Sequence, residues 1–178
     1  ETKITNLKLN EDDYTSMAMT LALYGHENTT EILQKAEASI TNPDKKKRFQ
    51  FLQLALSADE ATRDGFFESL KDSKNREKES WVLSALGYIN HPLRQESSIK
   101  HLKTSLELLE EIQLTGDIFF PKNWLNATIG NYSSEEAYQI REAFLENNPD
   151  LNPVLKNKLY QATDDLDRLH RMRSQLED

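Results

Sequence analysis

Apolar positions recur along this chain at steps of three and four residues. Short polar or proline-containing breaks divide them into about nine segments, the pattern of amphipathic helices. The first segment runs from Glu11 to Tyr24 and stops at Gly25, a residue suited to the left-handed turn that closes a helix. A second spans Thr29 to Ile40. Asn42-Pro43 then supplies an N-cap and a proline at the first helical position, opening a third segment to Leu56. Phe49, Leu52 and Leu56 share one face of it and Phe51 and Leu54 another, which predicts burial on two sides. Ser57 and Glu60 have the spacing of a capping box ahead of a fourth helix that buries Phe66, Phe67 and Leu70.

After a polar break from Asp72 to Arg76, Trp81, Val82, Ala85, Leu86 and Ile89 form the stripe of a fifth helix, ended by His91-Pro92. A sixth is predicted as far as Ile112, with Ile99, Leu102, Leu106 and Leu109 inward. Gly116 breaks the pattern, and Trp124 to Ile129 reads as a short helix closed by Gly130. Ser133 and Glu136 form a second capping box, opening a helix whose Ala137, Ile140 and Phe144 face the core. Asn152-Pro153 opens the last and longest helix, along which Leu155, Leu159, Ala162, Leu166, Leu169 and Met172 recur. Asp164 with Arg168, and Asp167 with Arg171, are spaced to pair on its exposed side. No strand-like alternation occurs. The fold class predicted is all-α: one helical domain over residues 1–178, with a linker or tail over 1–10. It would be an irregular HEAT- or armadillo-like superhelix of stacked antiparallel helix pairs.

Composition agrees with helices, since five Gly and five Pro are few for an all-β chain. The absence of Cys removes disulfides, thiolate metal sites and thiol nucleophiles. A net charge of -8 argues against a nucleic-acid partner, whose phosphates need a cationic face. The basic run Lys45-Lys46-Lys47-Arg48 sits at a helix start and reads as a solvated face. No apolar run approaches the ~20 residues of a membrane span, so no membrane partner is expected. No signal peptide is visible, and the compartment is left between cytoplasm and cell envelope.

Candidate chemistry is sparse. His26-Glu27-Asn28-Thr29-Thr30 approaches the zinc-binding pattern of two histidines four apart with a glutamate after the first, but Thr30 stands where the second histidine belongs. His91, His101 and His170 are isolated in sequence and read as surface or helix-end residues. Glu110-Glu111 and Asp164-Asp165 fall on predicted solvated faces. There is no nucleophile elbow and no glycine-rich phosphate loop. No catalytic residue, metal ligand or cofactor site is therefore assigned.

One segment stands apart. Gly116-Asp117-Ile118-Phe119-Phe120-Pro121-Lys122-Asn123-Trp124-Leu125 groups three aromatic residues and a proline directly after a glycine break. Phe119, Phe120 and Trp124 either wedge one helical layer against the next or, with Lys122, line the wall of a cleft. This segment resembles part of the C-terminal helical domain of bacterial zinc aminopeptidases of the aminopeptidase N family. So do Phe144-Leu145-Glu146-Asn147-Asn148-Pro149-Asp150-Leu151-Asn152-Pro153 and the run from Leu155 to Arg168; Ala55-Leu56-Ser57 and Trp81 to Leu86 are similar more loosely. The resemblance extends over residues 15–175. It implies a C-terminal piece of a larger metallopeptidase, since that family's HExxH motif and zinc lie in a preceding catalytic domain. The implied role is to cover that domain and shape access of peptide substrates to its cavity. Its implied partners are the catalytic domain and those peptides, with the acidic balance suiting a substrate's positive N-terminus. The alternative expectation is a free-standing helical-repeat interaction module.

Overall fold

Caps written into the sequence start five of the α-helices among the described residues. The computed structural model describes residues 9–177, and among them no strand occurs. Asn10 and Asp13 form a reciprocal capping box that opens α1 (Glu11–Leu23). The predicted tail over 1–10 lies outside the described residues except for Leu9 and this cap. α1 closes in a left-handed turn at Gly25, φ 72°. There the Gly25 and His26 amides return to the Ala22 and Leu21 carbonyls at 3.2 and 3.0 Å. α2 (Thr29–Ser39) follows, then α3 (Pro43–Leu56), whose first amides bind the Asn42 side chain.

The capping boxes are displaced. Ser57 closes α3 instead of opening α4 (Glu60–Ser69), and the N-cap is Asp59, whose carboxylate accepts from the Thr62 amide at 2.9 Å. A carboxylate is the stronger acceptor at a helix N-terminus, which displaces the cap from Ser57. Likewise Ser134, not Ser133, accepts from the Ala137 amide and opens α10 (Glu135–Asn147). The polar break becomes a 3-10 turn at Ser73–Arg76 before α5 (Glu79–Ile89).

The predicted sixth helix is broken. A 3-10 turn at Pro92–Arg94 leads to α6 (Gln95–Ser98), a second 3-10 turn at Ile99–His101, α7 (Leu102–Glu107) and α8 (Leu109–Thr115). Polar side chains along it bond outside the helical ladder. Ser98 donates to the Ile89 carbonyl, and Arg94 reaches back to the end of α3. The last helix is also two: α11 (Pro153–Ala162) and α12 (Asp164–Glu177) meet at Thr163. The Thr163 hydroxyl donates to Leu159 O and accepts from Arg141 Nη1, both at 2.9 Å. This break directs Asp167 to Arg141, not to Arg171 as spacing predicts; Arg171 bonds the Asp167 carbonyl, and Asp164 does pair with Arg168.

The helices pack in pairs, some of them one helix apart in the chain. α1 lies on α2, α3 on α4 and α5, and α5 on α9 (Phe120–Ala127); α9 lies on α11, α7 on α10 and α10 on α12. One cluster of buried apolar side chains runs through them, from Ala18 to Leu166. α3 buries Phe49, Leu52 and Leu56 as predicted. Its second face is covered only at Phe51, against the rings of Phe66 and Trp81, while Leu54 is exposed. Met172 is exposed too.

Arginines close several helix ends that lack glycine. Arg94 donates to the Ala55 and Leu56 carbonyls (2.7 and 3.0 Å), and Arg63 to Ser57 and Ala58 (2.7 and 3.0 Å). Arg76 donates to the carbonyls of Leu70 and Lys71. Arg94 satisfies carbonyls in the last turn of α3, and Arg63 and Arg76 satisfy carbonyls just past the ends of α3 and α4, where a positive charge also suits the helix dipole.

Candidate functional site

The Gly116 segment joins α8 to α9. Gly116 has extended backbone, φ -100°, so its need for glycine is steric and not conformational. An added Cβ would lie 2.5 Å from Phe120 Cδ1 and 3.0 Å from the Ile112 carbonyl. Asp117 then accepts the Phe119 and Phe120 amides at 2.6 and 2.8 Å, which starts α9 earlier than the predicted Trp124. The Asp117 amide in turn donates to Glu79 at 2.8 Å.

This anchoring splits the aromatic group. Phe120 and Trp124 are buried, 2% and 0% exposed, with their rings edge to face at 6.0 Å; the indole N–H donates to Ser105 O at 3.0 Å. They are the wedge between layers. Phe119 is 67% exposed, and Leu114, Ile118 and Lys122 are exposed as well. The four candidate residues are therefore not brought to one surface.

Next to the segment is a cleft of about 330 Å³ lined by Lys74, Arg76, Glu77, Glu79, Gly116 and Phe120, among others. Only Phe120 of the four borders it. Burial pushes the Glu79 carboxyl above its ordinary range, against the hydrogen bond from the Asp117 amide. Arg76 is buried and ion-paired to Glu111 at 2.7 Å, and its Nε–H has no protein partner. Sequence reasoning missed these charged residues because Asp72 to Arg76 reads as a solvated break. The signal available was an arginine a few residues beyond a helix end without glycine. The cleft offers both signs of charge and an aromatic edge, which suits binding; it holds no nucleophile paired to a base.

No zinc site is built around His26. Its Nδ1 accepts from the Asn28 amide at 3.1 Å, a local turn contact. Among the described residues no three His, Asp or Glu side chains are grouped to hold a metal ion.

His101 corrects a sequence expectation. It is buried, not superficial: its ring stacks on Phe67 at 4.2 Å and its Nε2 meets Asp64 at 2.8 Å. Burial lowers its pKa more than Asp64 raises it, so the neutral ring donates to the carboxylate. At Asp64 burial is outweighed by hydrogen bonds from Lys100 and His101, and its pKa falls. His170 stays partly exposed, with its ring stacked on Tyr138 at 3.7 Å and bonded to Glu135.

No protein-family model, no curated protein and no solved structure matches the chain. The geometry therefore carries the functional argument together with the resemblance of its segments. It describes a helical scaffold with exposed apolar residues on both sides of the α8–α9 junction, Leu114 at the end of α8 and Ile118 and Phe119 on the anchored turn.

Proposed function

We propose that this chain is a non-catalytic helical domain that packs against a catalytic domain of a larger protein. The specific reading is the C-terminal domain of a zinc aminopeptidase of the aminopeptidase N family. The observation that carries the docking role is the trio Leu114, Ile118 and Phe119. Leu114 near the end of α8, and Ile118 and Phe119 on the turn fixed by Asp117, are large apolar side chains that stand in solvent, as residues suited to being covered do. The peptidase identity rests on the resemblance of Gly116–Leu125, Phe144–Pro153 and Leu155–Arg168. The superhelical stacking belongs to the same reading, and the packing of α3 on α5 and α9 on α11 supports it. In this reading zinc and the catalytic residues belong to the partner domain.

The test is direct. The reading frame encoding this chain is expected to carry HExxH upstream. The pure chain is expected to bind no stoichiometric zinc and to hydrolyse no aminoacyl p-nitroanilide. Turnover by the chain alone, or a frame without that motif, overturns the peptidase reading. The second reading, a free-standing interaction module, draws on an apolar stripe that faces solvent along α1.

A further inference from the structure

We infer that the cleft bounded by the start of α2, the end of α3 and the start of α4 is a binding site for a small aliphatic polyamine. Its volume is about 560 Å³, within the ~300–1,000 Å³ of small-molecule sites. Leu33 of α2 and Leu54 and Leu56 of α3 give it an apolar wall. Leu33 and Leu56 are covered by the core, but Leu54 is 46% exposed, so methylene groups laid against it leave water.

The fixed charge of the lining has one sign. Glu27, on the turn before α2, and Asp59, the N-cap of α4, both line the cleft; among the described residues neither lysine nor arginine does. Glu27 makes no hydrogen bond or ion pair with any described residue. The bonds that cap α4 go to Asp59 Oδ2, from the Thr62 amide at 2.9 Å and its hydroxyl at 2.6 Å. They hold the carboxyl below the ordinary aspartate value, the hydroxyl most, so its charge persists at neutral pH. Arg63 and Arg94 bond carbonyls at this end of α3 and are not part of the lining. His26 does line the cleft, and its Nδ1 accepts the Asn28 amide, which a protonated ring could not do.

Two carboxylates beside leucines match two ammonium groups joined by methylenes. A bare divalent cation has the charge but makes no use of the apolar wall. A neutral apolar ligand strips water from the carboxylates without pairing them. A single lysine side chain pairs one carboxylate and leaves the other. The inference is independent of the peptidase reading.

Four-carbon probes that differ in their ends test it: 1,4-diaminobutane, butylamine, 1,4-butanediol and succinate, each titrated into the whole chain and followed by amide chemical shifts. The diamine is expected to bind and to shift the amides of Glu27, Leu54 and Ser57, and butylamine to bind about tenfold more weakly. The diol and succinate should leave those amides unmoved, and Mg²⁺ at equal concentration should not displace the diamine. Glu27→Gln and Asp59→Asn should each lower the affinity for the diamine about tenfold. Both side chains are exposed, and asparagine keeps the cap of α4, so the fold is preserved. The inference is overturned by diol or succinate binding as tightly as the diamine, by butylamine matching it, or by displacement with Mg²⁺. Shifts that fall outside the cleft, or an affinity indifferent to both substitutions, overturn it equally.

Discussion

At the scale of single residues, the arginines decide more than their number suggests. Arg76 ties the end of α4 to Glu111 on α8, and one guanidinium serves two backbone carbonyls and a carboxylate. Replacing it with Met leaves those carbonyls without their donor in a buried place. We expect Arg76→Met to cost about 3 kcal/mol of stability in urea titration. Arg76→Lys should recover little, because an ammonium lacks the planar fork; a full recovery by Lys would refute the capping role. Adjacent aromatics behave oppositely. Phe120→Ala empties a packed wedge and should cost about 3–5 kcal/mol, whereas Phe119→Ser should stay within about 0.5 kcal/mol. Comparable losses at the two positions would contradict their opposite burial. Nothing in the sequence separates Phe119 from Phe120, since they are neighbours of the same type. The separation is made by the Asp117 cap, which sets where α9 begins.

At the scale of elements, start signals were legible where they compete with nothing. Asn42-Pro43 and Asn152-Pro153 open α3 and α11 as read, because the proline cannot sit elsewhere in a helix. Ser57 and Ser133 failed because a better-placed acceptor, Asp59 or Ser134, stood one or two residues on. The breaks at Thr163 and between α6 and α8 were not legible at all. Their causes are contacts from distant residues: Arg141 on Thr163, and Ser98 bonded to Ile89. The α8–α9 junction gives a test at this scale. Gly116→Ala drives a Cβ into Phe120 and the Ile112 carbonyl, and should destabilise by about 1–3 kcal/mol through overpacking. An unchanged melting temperature would mean that α8 and α9 part without cost.

At the scale of the whole molecule, the contact of His101 with Asp64 ties α7 to α4 and makes stability depend on pH. The folded state holds His101 below its ordinary 6.5, so on acidification the unfolded chain takes up that proton first. Stability from this group is present at neutral pH and is lost as pH falls below the unfolded value, until the folded pKa is passed. Asp64, held low in the fold, adds a loss in the same direction at more acidic pH. Melting temperature should therefore drop as pH falls from neutral through the ordinary histidine range, and His101→Gln, which keeps a donor to Asp64 without titrating, should flatten the drop. A slope unchanged by that substitution would show that His101 is not its source.

The sequence by itself determined that the chain is helical, which face of most helices is buried and where the strongest caps lie. These follow from local periodicity and from residues acting within one turn. Tertiary structure alone decided which helices break, which histidines and arginines are buried, and which of two neighbouring phenylalanines meets solvent. It also decided that one whole face of α1, apolar by pattern and thus indistinguishable from a core face, is left uncovered. The break at Thr163 and the burial of His101 depend on partners far along the chain, Arg141 and Asp64, and periodicity carries no information about whether such a partner arrives.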